Sequence, residues 1–133
     1  GASARDTVAR FVESPQGLAG TVTAIRENKM DAASAVSGCG PAFAYMFLEA
    51  LADGGVACGL SRSEAEAFAA GMVIGAGEMA KAYGHVGDLK NAVCSPGGST
   101  IEGVRTLEER AFRGAVTDAV MAAYEKTVRM KKK

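Results

Sequence analysis

Apolar residues crowd the segment 42–53. Phe43, Tyr45, Met46, Phe47, Leu48 and Leu51 are interrupted only by Glu49 and Asp53. This run predicts a helix over 42–53 that is apolar on nearly every side, and such a helix is buried all round. In a chain of 133 residues, that much burial points to cover from a partner subunit. Pro41 suits the first turn of the helix, and Gly54-Gly55 is expected to stop it. Further on, Ser61-Arg62-Ser63-Glu64 has the spacing of a capping box and opens a long helix to about Tyr83, with Gly84 ending it. Phe68, Met72, Met79 and Tyr83 form one stripe on that helix. Gly71 and Gly75, with Ala76 beside them, flatten another side so that a second helix can come close. A short helix is predicted over 87–93. Another follows from Thr100 to about Arg110, with Ile101, Val104 and Leu107 facing inward. The last runs from about Ala111 to Val128, where Phe112, Ala115, Val116, Ala119 and Ala123 recur with helical period.

The period changes only near the N-terminus. Residues 3–13 read as a short helix, with Ser3 and Asp6 near its start and Val8, Phe11 and Val12 on one face; Ser14-Pro15-Gln16-Gly17 ends it. Thr21-Val22-Thr23-Ala24-Ile25-Arg26 then alternates like a strand. One strand cannot bury itself, and the chain offers no second convincing one. The segment is therefore expected to belong to a sheet outside this chain or to pair with another copy. The rest is expected to be all-α.

Composition narrows the picture. The chain is 48% hydrophobic, enough for one domain with a core. Fifteen basic and fifteen acidic residues cancel, which gives no electrostatic case for nucleic acid or an anionic membrane. The cluster of Arg129 and Lys131-Lys132-Lys133 reads as a solvated tail. Cys39, Cys58 and Cys94 are odd in number and lack C-x-x-C spacing, so no zinc site or disulfide framework is expected and a reducing cytoplasm fits. Neither a signal peptide nor an apolar run long enough to span a membrane is expected.

Candidate chemistry centres on Cys94-Ser95-Pro96-Gly97-Gly98-Ser99-Thr100. Pro96 stiffens the chain and the two glycines free it. Ser99 has Glu102 three residues on, the spacing of another capping box. A loop that opens a helix presents unpaired N–H groups and the positive end of the helix dipole, both favourable to a small carboxylate or phosphate. Gly97 and Gly98 would let such an anion touch the backbone. The alternative is an ordinary Pro-Gly turn before a capped helix, with Thr100 itself as the cap. His85 is the only histidine, in a turn where exposure explains it, and no metal site is expected. Cys94 as a nucleophile would have to use His85 as its base; an inert thiol is the other reading. Glu49, Asp53 and Glu78 read as solvated or paired acids. No G-x-G-x-x-G follows a strand, so the chain carries no dinucleotide fingerprint of its own.

Two stretches together carry a family resemblance. Met30-Asp31, Ser37-Gly38-Cys39-Gly40-Pro41-Ala42-Phe43, Glu49-Ala50-Leu51-Ala52-Asp53-Gly54-Gly55-Val56 and Gly59-Leu60 form the first; Leu89-Lys90-Asn91-Ala92-Val93 and the loop to Ile101 form the second. In order and spacing, from about residue 20 to residue 128, they resemble the C-terminal domain of pyrroline-5-carboxylate reductases. The resemblance implies hydride transfer from NADPH or NADH to 1-pyrroline-5-carboxylate, giving L-proline. It implies a helical domain that interlocks with its copy in a homodimer, which can assemble further. Residues 1–27 would then be the last helix and strand of a Rossmann domain, and residues 28–133 the dimerisation and substrate-binding domain. On this resemblance the backbone around Ser95, Gly97, Gly98 and Ser99 would hold the substrate carboxylate. Thr100 would hydrogen-bond the ring nitrogen as the catalytic residue. Val93 would lie near the ring, and Gly40 and Pro41 near the cofactor. The cofactor would be bound mainly by a preceding domain, so this piece alone would be inactive. A non-catalytic helical dimerisation module and the helical half of a related imine or hydroxyacid dehydrogenase are the alternatives.

Overall fold

The computed structural model describes residues 25–132. The helix expected at 3–13 and most of the strand expected at 21–26 lie outside them. Every regular element among the described residues is helical. A 3-10 turn at Glu27–Lys29 leads into α1 (Met30–Ser37), α2 (Gly40–Ala57), α3 (Arg62–Tyr83), α4 (Val86–Ala92), α5 (Ser99–Glu109) and α6 (Phe112–Lys131). The all-α expectation holds. The described residues divide into two compact units, one of residues 25–43 with 116–132 and one of residues 44–115.

In the first unit, α1 is a helix that the hydrophobic pattern does not announce. It is short, its N-terminal cap at Lys29 has no side-chain bond, and alanines at 32, 33 and 35 supply helix propensity rather than a stripe. Its one buried residue is Ala35. Asp31 near its start is paired with Lys131 near the end of α6, which fastens the two helices. Pro41 stands in the first turn of α2, as its fixed φ favours.

The second unit is built around the hairpin of α2 and α3. Gly54-Gly55 does not stop α2, contrary to expectation; the helix continues to Ala57, and the chain turns at Gly59 with φ 109°. Gly55 has a packing reason to lie inside the helix. A side chain there would come within 3.1 Å of the Ala65 Cβ and 3.2 Å of Leu60. Arg62 binds Asp53 at 2.8 Å across the turn. The capping box at the start of α3 forms as the spacing predicts. The Glu64 N–H donates to the Ser61 hydroxyl, and the Ser61 N–H donates to the Glu64 carboxylate at 2.9 Å. The Ser61 backbone N–H, and after it the Ser61 hydroxyl, hold the Glu64 carboxyl below its ordinary pKa. At its other end α3 closes on Gly84 at φ 77°.

Among the described residues only small side chains are fully covered. The buried hydrophobic residues are Ala35, Ala52, Ala65 and Ala69, and no large side chain among the described residues is fully buried. On α3, the face against its own chain runs through Ala65, Ala69, Val73 and Ala80. The neighbouring stripe is exposed, with Phe68 at 68% and Tyr83 at 69%. Tyr45 and Met46 on α2 are open at 65% and 67%. Nothing within 4 Å would meet a side chain at Gly71 or Gly75. The flattened side is therefore present, but no helix among the described residues approaches it. Ile101 and Leu107 on α5, expected inward, are also exposed; Val104 is half-buried. Phe47 and Phe112 form the one aromatic pair among the described residues, with centroids 5.9 Å apart. Against the sequence expectation, the helical stretch Glu27–Ala57 is long and apolar enough to cross a membrane by length and composition alone. A core helix covered by other protein has the same composition.

Candidate functional site

The loop from Val93 to Thr100 lies wholly in the second unit, between α4 and α5. Its entry is closed by backbone bonds: the Val93 N–H donates to Lys90 O at 3.2 Å and the Cys94 N–H to Asn91 O at 3.1 Å. Ser95-Pro96-Gly97-Gly98 is a type II turn. Pro96 fits its first central position and Gly97, at φ 71°, its second; the Gly98 N–H donates to Ser95 O at 3.1 Å. The Pro-Gly pair therefore has a definite local cause. Pro96 fixes one dihedral, and the next residue takes a positive φ that a side chain would resist.

The turn delivers the chain into α5 one residue earlier than expected. Gly98, not Ser99, is the N-cap; Ser99 is the first helical residue. The capping box predicted between Ser99 and Glu102 does not form, and no side chain caps the helix. Glu102 turns instead to Arg105, at 3.3 Å. Thr100 is not the cap either; it sits in the first turn and is exposed. The opening N–H groups of α5 thus have no side-chain partner, and the helix dipole points its positive end at the same spot. A small carboxylate is the complementary ligand for such a surface.

Val93 is 65% exposed at the C-cap of α4. Ser95, Gly97, Ser99 and Thr100 are exposed, and Gly98 is half-buried. The structure therefore brings together Val93, Ser95, Gly97, Gly98, Ser99 and Thr100. Gly40 and Pro41 open α2 in the first unit; a side chain at Gly40 would meet nothing within 4 Å. His85 caps α4 by position, is exposed, and has Asp88 Oδ2 3.3 Å from its Nδ1. Cys94 is a half-buried free thiol, and His85 turns to Asp88 rather than to it.

The described residues thus form an all-helical domain with exposed apolar faces and a glycine-flanked helix start that no side chain caps. Its family follows from comparison with known proteins. The chain belongs to the pyrroline-5-carboxylate reductase dimerisation family, whose model matches residues 27–130. It is 46% identical over 115 residues to pyrroline-5-carboxylate reductase of Synechocystis, a match that covers 86% of this chain and 43% of the relative. It is 45% identical over 114 residues to the Escherichia coli enzyme, covering 85% of this chain and 42% of that one. Among solved structures it is similar to a Plasmodium falciparum pyrroline carboxylate reductase with NADP bound. That match has a TM-score of 0.78 and 43% identity, and covers 84% of this chain and 45% of the other. The chain thus spans less than half the length of these relatives.

Proposed function

We propose that this chain is the dimerisation and substrate-binding part of a cytoplasmic pyrroline-5-carboxylate reductase, which reduces 1-pyrroline-5-carboxylate to L-proline. The observation that carries the proposal is the type II turn at Ser95–Gly98, which leaves the start of α5 uncapped. The relatives named for this reaction support it. In this reading the N–H groups at the start of α5, with Ser95, Gly97, Gly98 and Ser99 around them, hold the substrate carboxylate. Thr100 directs its hydroxyl to the ring nitrogen, and Val93 lies beside the ring. Fixing the carboxylate fixes the distance and angle of the imine carbon, which is where positioning lowers a barrier. The ring nitrogen gains a proton as the double bond is reduced. A threonine hydroxyl is a weak acid, so Thr100 orients the nitrogen while the proton comes from water or is already on an iminium.

NADPH or NADH supplies the hydride when bound. The described residues are helical and carry no glycine-rich strand-to-helix turn for a dinucleotide. In this reading their share is limited to Gly40 and Pro41, at the start of α2. Residues 1–27 are read as the end of the nucleotide-binding domain and residues 28–133 as the helical domain. The exposed stripe of α3 and the apolar α2 are read as the faces that a second copy covers in a homodimer.

Turnover of the full-length enzyme on 1-pyrroline-5-carboxylate with each nicotinamide cofactor, with calorimetry on proline, tests the proposal. Reduction and proline uptake are expected. A well-folded full-length dimer that shows neither would leave a dimerisation module without catalysis.

A further inference from the structure

We infer that Gly98 is a positioning residue: the space left by its missing side chain seats the Ser95 hydroxyl, and this seating sets the shape of the loop that receives the carboxylate. The inference rests on the reading of that loop as the carboxylate site. A Cβ placed on Gly98 would lie 2.5 Å from Ser95 Oγ and 3.2 Å from the Ser95 carbonyl oxygen. The first is a collision with the tip of an exposed serine side chain, which must change rotamer, and the second requires the backbone carbonyl to give by a few tenths of an ångström. Gly97 differs: a Cβ there would meet nothing within 4 Å, and what excludes a side chain is its φ of 71°. The two adjacent glycines therefore do separate jobs. One permits the bend of the backbone and the other leaves room for a neighbour's hydroxyl.

Ser95 and Gly98 are also the two ends of the turn, joined by the 3.1 Å bond from the Gly98 N–H to the Ser95 carbonyl. Gly98 is the N-cap of α5 as well. At that position a helix usually carries serine, threonine, asparagine or aspartate, whose oxygen takes up the first N–H groups. Here the side-chain oxygen beside that position belongs to Ser95, three residues earlier in the chain, and the helix has no side-chain cap bond. A hydroxyl thus stands next to the helix start while the helix start stays open. Alanine at 98 would force the Ser95 side chain into another rotamer and press on the carbonyl that closes the turn. The carboxylate would then meet a displaced hydroxyl and a loosened set of donors.

The test compares Ser95→Ala, Gly98→Ala and the double variant in the full-length reductase, reading KM for pyrroline carboxylate, kcat and the thermal midpoint. Gly98→Ala is expected to raise KM on the order of tenfold, with a smaller change in kcat, because misplacement of binding groups by a fraction of an ångström is felt at once. On the Ser95→Ala background the same glycine change is expected to raise KM by about threefold or less, since the displaced hydroxyl is already gone. Equal effects on the two backgrounds overturn the seating of Ser95 and leave the carboxylate reading standing. An unchanged KM in all three variants overturns the carboxylate reading along with it. Should Gly98→Ala fail to fold, Ser95→Val decides: its branched side chain overfills the seat, so KM must rise further than in Ser95→Ala, and equality overturns the inference.

Discussion

Around the hairpin of α2 and α3 the buried residues are alanines at 52, 65 and 69, while Tyr45, Met46, Phe68 and Tyr83 stand open. Around the loop of residues 93–100 the arrangement is reversed. No large side chain is needed, and the shape is fixed by short-range backbone bonds, one proline and two glycines. The loop is finished within a few residues of sequence. The hairpin has its path but not its cover, because the described residues leave several of its large apolar side chains exposed. Hydrogen-bonded turns are local and independent of assembly, whereas apolar area stabilises only when a second surface excludes water from it.

That contrast is broken or sharpened by four substitutions. Phe68→Asp should act most strongly: in the proposed homodimer the carboxylate would enter a covered apolar face, at a cost on the order of 3–5 kcal/mol. Sedimentation is expected to find a dimer for the parent and monomers or unfolded chain for the variant, and a stable dimer in the variant would remove α3 from the proposed interface. Thr100→Ala comes next and should spare assembly. Loss of one hydrogen bond to a charged or polarised nitrogen is worth about 1.5–3 kcal/mol, or roughly 10- to 150-fold in kcat/KM of the full-length enzyme. Gly97→Ala should follow at about 1–2 kcal/mol, since φ is positive there. It should raise KM while leaving the dimer intact, and a KM equal to the parent's would show that the turn does not shape binding.

Ser61→Ala is the smallest of the four, at about 1 kcal/mol of helix-cap stability by thermal unfolding. Its pH dependence has a definite sign. The Glu64 carboxyl is held below its ordinary pKa in the folded chain. Its contribution is therefore complete above that ordinary value and is lost as pH falls through the lowered one. The parent should lose stability across that acid interval, and Ser61→Ala, which lacks the hydroxyl partner, should lose less.

What was legible in the sequence was what is decided locally. The Ser61–Glu64 box and the stop at Gly84 stand where the spacing places them, because both depend on groups within four residues. Gly54-Gly55 misleads, because the contact that retains Gly55 inside α2 comes from Ala65 and Leu60, beyond the reach of a local rule. The Ser99–Glu102 spacing misleads for a different reason. The Pro96-Gly97 turn hands over the chain at Gly98, so the cap position passes to a residue with no side chain. The stripe of α3 is apolar, as its period predicts, but periodicity does not say whose surface it meets. The α1 helix has neither cap nor stripe and left no pattern to read.

That alanines are the only buried hydrophobic residues among those described has a consequence for how this protein melts. If folding and pairing are one event, the midpoint of thermal unfolding rises with protein concentration. Dilution then acts as a denaturant in its own right, and a damaged copy weakens whichever sound copy it joins.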